Sequence, residues 1–86
     1  MNDKDLRIPD WLLKKTDLSP TEKMVYAFYY SYTFYGKMGC CRIINEEICY
    51  RLGISKRTLQ YAKAELKKDK YIETDGGIMV KALVNE

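Results

Sequence analysis

The chain has 86 residues, 47% of them hydrophobic and 31% charged, which fits one folded domain and excludes a disordered polyelectrolyte. Its formal net charge of +3 is too small to announce a polyanionic partner by composition alone. No apolar run approaches the roughly 18 residues of a membrane span, and the charged start from Asn2 to Arg7 leads into no signal-peptide core, so a cytoplasmic protein without a membrane partner is expected.

Residues 1–18 read as a lead that packs on the core, with Pro9 or Asp10 opening a short turn that presents Trp11 and Leu12. The domain proper is expected over residues 19–86. Ser19, Pro20 and Glu22 have the spacing of a capping box with proline at the first helical position, which predicts a helix from Pro20 to Tyr35. One side of that helix carries Thr21, Met24, Val25, Phe28, Tyr32 and Tyr35; the other carries Tyr26, Tyr30 and Phe34. A helix apolar on both sides is central in its domain or covered by a partner. The stripe of Tyr26, Tyr30 and Phe34 is therefore the candidate interface, a homodimer contact included.

After a turn at Gly36-Lys37-Met38-Gly39, residues Cys40 to Ile44 predict a short strand. Asn45 is expected to cap a helix that ends at Leu52, with Glu46 and Glu47 in its first turn and Gly53 as its terminator. Ser55 predicts the cap of another helix reaching about Lys68. Tyr71 to Thr74 and Ile78 to Val84 then read as strands joined by Asp75-Gly76-Gly77. A mainly α fold with a small β-sheet follows, and its order, with a β-hairpin after three helices, is that of a winged helix-turn-helix.

Two helices linked only by Gly53-Ile54-Ser55 must cross steeply. Glycine supplies positive φ, Cys49 is small where the helices approach, and Ile48, Leu52, Ile54, Leu59, Ala62 and Leu66 interlock. Residues 56–70 hold six cations and two acids, net +4, so everything else sums to −1. At about 100° per residue the apolar positions of the last helix share one arc. Lys56, Arg57, Gln60, Tyr61, Ala64, Lys67 and Lys68 share the opposite one, which contains no acid. Such an arc fits double-stranded DNA. Arg57 suits guanine and Gln60 adenine, while Ser55, Lys56, Lys67 and Lys68 suit phosphates. Tyr61 is assigned a phosphate or a thymine methyl, or packing within the protein. Arg42 and Arg51 are expected to add backbone contacts, and the hairpin, with Asp75 at its tip, to be chiefly structural.

Catalysis finds no support: histidine is absent, the acids do not cluster and there is no Gly-rich phosphate loop. No cofactor and no small-molecule substrate are expected. Cys40, Cys41 and Cys49 lack metal-ligand spacing and are odd in number, so reduced, partly buried thiols are expected rather than a disulfide or zinc site.

Four segments carry a family resemblance: Ile8-Pro9-Asp10-Trp11-Leu12-Leu13, Leu18 to Tyr26, Leu52 to Gln60, and Glu65-Leu66 with Tyr71-Ile72. Over residues 8 to about 74 the chain resembles the N-terminal winged helix-turn-helix domain of phage and plasmid replication initiators, or replisome organisers. Related domains occur in stand-alone phage or mobile-element regulators. The resemblance implies origin or operator binding, with Ser55, Lys56, Arg57 and Gln60 at the positions that face DNA. Cys49 departs from the more usual alanine there. The expected function is thus sequence-specific duplex binding by a replication initiator, with a small transcription regulator or a protein-interaction module as alternatives.

Overall fold

The structure, a computed structural model, describes residues 10–15 and 17–84, so the expectations for Ile8, Pro9 and the residues before them lie outside it. The described chain forms α1 (Asp10–Leu13), α2 (Pro20–Tyr35), α3 (Asn45–Leu52), α4 (Lys56–Lys68), β1 (Ile72–Thr74) and β2 (Val80–Ala82). It is mainly helical, with a two-stranded antiparallel sheet.

α2 begins where its chemistry says it should. The Ser19 hydroxyl accepts the Glu22 N–H at 3.2 Å, and the Glu22 carboxylate accepts the Ser19 N–H at 2.8 Å. These contacts satisfy two backbone donors that the first turn leaves without helical partners. Val25 through Tyr29, Ser31 and Thr33 are buried, so α2 is the central helix rather than a one-sided one. It packs against both α4 and β2. Its tie to the sheet is also polar: the Tyr26 hydroxyl donates to the Leu83 carbonyl at 2.6 Å, and Thr33 Oγ1 accepts the Ala82 N–H at 2.9 Å. The short α1 covers the same core, with Leu12 fully buried and the Trp11 ring edge-on to Tyr26 at 5.6 Å between centroids.

The α3–α4 pair packs through the residues its spacing singles out. Gly53 sits at φ 69° and ψ 34°, and its N–H donates to the Cys49 carbonyl. Left-handed backbone there stops α3 and lets the chain turn within three residues. Ile48, Cys49, Leu59, Ala62 and Leu66 are buried, with Leu52 and Ile54 against them. Ser55 caps α4 by accepting the Thr58 N–H at 3.1 Å. At the far end Lys70 adopts φ 63°, and the N–H groups of Tyr71 and Lys70 reach the carbonyls of Leu66 and Lys67. This is the glycine-type helix ending, built here with lysine.

Three local expectations need correction. The strand predicted over Cys40 to Ile44 is a single bridge, Cys41 against Val80, because the backbone leaves the sheet at once to enter α3. Asn45 does not cap α3. Ile44 is the cap residue, in extended backbone with no side-chain bond, while the Asn45 amide oxygen is drawn across to α4 and accepts from Lys63 Nζ at 3.1 Å. The hairpin strands are also shorter than predicted, since Ile78 and Met79 lie in the connection. In the register Glu73 stands opposite Lys81 and both are exposed, whereas Ile72, Val80 and Ala82 face the core.

Candidate nucleic-acid interface

With Leu59, Ala62 and Leu66 turned inward, α4 presents the opposite arc to solvent. Lys56, Arg57, Gln60, Tyr61, Ala64, Lys67 and Lys68 are all exposed, Tyr61 by 72%. Lys67 and Lys68 lie in the last turn, where cations also suit the helix dipole. Arg57 and Gln60 lie in the first turn and a half, and no hydrogen bond within the described residues engages either side chain. Ser55 is different. Its hydroxyl accepts the Thr58 N–H and donates to Thr58 Oγ1 at 2.9 Å, so it is committed to the cap.

Two grooves border the arc. One, about 540 Å³, runs between the start of α2 and α4 and is lined by Ser19, Thr21, Glu22, Arg57, Tyr61 and Glu65 among others. The second, about 270 Å³, separates α4 from the hairpin and takes in Lys63, Ala64, Lys67, Gly76 and Gly77. The arc itself is free of acids, but Glu22 and Glu65 border it on the α2 side.

Two of the cations, Lys63 of the basic stretch and Arg51 before it, are used inside the protein. Lys63 is half-buried, bonded to Asn45, and 6.0 Å from the centroid of the Tyr29 ring. Burial lowers its pKa below the ordinary lysine value, and the neighbouring Lys67 charge lowers it further. Arg51 donates to the Tyr32 hydroxyl and pairs with Glu47 at 3.4 Å, and so braces α2 against α3. Arg42 is exposed, but the groove it lines, with Tyr35, Met38 and Cys40, contains no α4 residue. Asp75 accepts the Gly77 N–H at 2.8 Å and so builds the hairpin turn.

The aromatic stripe of the candidate interface divides. Tyr26 is fully buried and contributes to the core, Tyr30 is half-buried, and Phe34 is 47% exposed. Two features went unread in the sequence. Tyr50 on α3 is 85% exposed, and Lys56 Nζ lies 3.1 Å from a Glu46 oxygen. The pair depends on the α3–α4 crossing, which residue spacing within one helix does not report.

The cysteines are free thiols, Cys41 and Cys49 buried and Cys40 half-buried, and burial pushes the Cys41 thiol up to about 11. No cluster of metal-ligating side chains occurs among the described residues, and no helix in them is long and apolar enough to cross a membrane. Compared with family models, curated proteins and solved structures, the chain matches none.

Proposed function

We propose that this protein binds double-stranded DNA in a sequence-specific manner through α4, as a winged helix-turn-helix domain of the kind found in replication initiators. The observation that carries the reading is the exposed arc of α4. Four cations, an amide and a tyrosine stand there with no acid of α4 among them, Lys56 meeting the Glu46 carboxylate of α3, on a helix fixed from behind by Leu59, Ala62 and Leu66. The element order supports it as well: α2, the steep α3–α4 pair, and a hairpin beside α4, with Cys41 adding a bridge to the free edge of β2.

The roles divide along the helix. Arg57 and Gln60, near the start, meet base edges, since that end of a recognition helix enters the major groove. Lys67 and Lys68, at the other end, hold phosphates and fix the orientation without carrying sequence information. Tyr61 lies on the side of the α2 groove and contacts a sugar-phosphate or a thymine methyl. The hairpin braces α4. Its exposed charges, Glu73, Asp75 and Lys81, sum to −1 and offer a phosphate little attraction. The protein acts in this reading without catalysis, cofactor or small-molecule substrate, at an origin or, in a regulator, at an operator.

Selection from a random duplex library tests it. A defined site should emerge; Arg57→Ala should flatten the preference, and Lys67→Ala should weaken binding to all sequences alike. Failure to enrich any site would overturn the proposal.

A further inference from the structure

The first turn of α3 holds Glu46 and Glu47, and both carboxylates are spent on cations of the helix pair. Glu47 takes Arg51, four residues on. Glu46 reaches out of its own helix to Lys56 at the start of α4, 3.1 Å away, with both side chains mostly exposed, at 67% and 59%. The partner of Glu46 is thus one of the cations on the exposed arc, at the end where Arg57 and Gln60 stand. An exposed pair of this kind adds little to stability. Its other consequence is electrostatic: the pair has no net charge, so Lys56 does not present a free cation to a polyanion.

We infer that Glu46 is an intramolecular competitor for Lys56, a carboxylate standing where a phosphate would otherwise bind, which keeps the reading end of α4 from adhering to DNA through charge alone. This inference rests on the duplex-binding reading. The phosphate-holding charge is then left to Lys67 and Lys68, while the start of the helix engages when base edges match Arg57 and Gln60. Glu46 acts through Lys56 and touches no base itself.

The test measures binding of the intact chain to a random 20-base-pair duplex over a salt series, for wild type, Glu46→Gln, Lys56→Gln and the double variant. Freeing one cation should steepen the plot of log affinity against log salt by about 0.9, so that Glu46→Gln loses about 3.5-fold more affinity than wild type between 50 and 200 mM salt. At the low end of the series it should bind more tightly than wild type. In the Lys56→Gln background the same substitution should leave the slope unchanged. Thermal unfolding of each variant should stay near wild type, which separates the effect from misfolding. Wild-type slope in Glu46→Gln, or an equal gain in the absence of Lys56, would overturn the inference while duplex binding stood. If wild type bound no duplex at all, the underlying reading would fall and the inference with it.

Discussion

Tyr26 and Tyr29 lie one turn apart on α2, and both are fully buried, yet their hydroxyls meet different surroundings. That of Tyr26 donates to the Leu83 carbonyl at 2.6 Å, whereas that of Tyr29 finds no hydrogen-bond partner among the described residues. A buried hydroxyl without a partner carries a desolvation cost of about 1–3 kcal/mol. Tyr29→Phe is therefore expected to leave stability unchanged or raise it by up to about 1 kcal/mol, and Tyr26→Phe to lower it by about as much. Urea midpoints followed by circular dichroism check the pair, and equal losses would contradict the contrast. Burial also raises both tyrosine pKa values and moves the Cys41 thiol from 9.0 to about 11. In each case the fold favours the protonated acid. The stability it contributes is complete below the ordinary pKa and is lost as pH rises through the folded value. Burial and the neighbouring Asp17 raise Tyr71 too, whereas Lys63, lowered by burial, works in the opposite sense, one group against four. Unfolding free energy should hold level through pH 8 and decline above pH 9, and Cys41→Ala should flatten the decline between 9 and 11. A profile unchanged by that substitution would show that the thiol does not set it.

Helix ends were the most legible elements, because their signals are short-range and chemical. Ser19-Pro20-Thr21-Glu22 and Ser55 both form the predicted caps, and Gly53 takes the predicted left-handed backbone. Asn45 misled because its amide has a better use. A cap signal read along one segment does not reveal a lysine arriving from another helix, and Lys63 takes the oxygen. The strand predicted from Cys40 to Ile44 failed for a related reason: β-prone residues do not pair unless the backbone stays beside a partner, and only Cys41 does. The end of α4 hid its signal altogether, since Lys70 occupies the position where glycine is usual. Left-handed backbone costs a non-glycine residue about 1–2 kcal/mol, so Lys70→Gly should raise stability by about 1 kcal/mol. Gly53→Ala should lower stability by about 1 kcal/mol or more, from backbone strain alone. A β-carbon there would meet nothing within 4 Å. For a domain of this size such changes move the melting temperature by about 4–8 °C per kcal/mol. Calorimetry that found Lys70→Gly neutral would mean the lysine has compensating contacts.

The described residues span about 28 × 27 × 26 Å, and their charge is not spread evenly over that surface. The sequence already pointed to α4 as the charged face, through periodicity and the apolar positions that fix its inward side. It did not reveal how much of that charge is spoken for. Lys63 is drawn inward to Asn45, Lys56 faces Glu46, and Arg51 braces α2 against α3, pairings set by helix crossings rather than by spacing along one helix. What remains free is concentrated towards the C-terminal end of α4, in Lys67 and Lys68, with Arg57 and Gln60 at the other end to discriminate. The most direct measurement of this arrangement is the salt dependence of binding to random duplex at neutral pH. Two or three phosphate contacts through α4 give a plot of log affinity against log salt with a slope of about −2 to −3, and Lys67→Gln with Lys68→Gln makes it nearly flat. Salt-independent binding, or none at low salt, would contradict duplex recognition through α4.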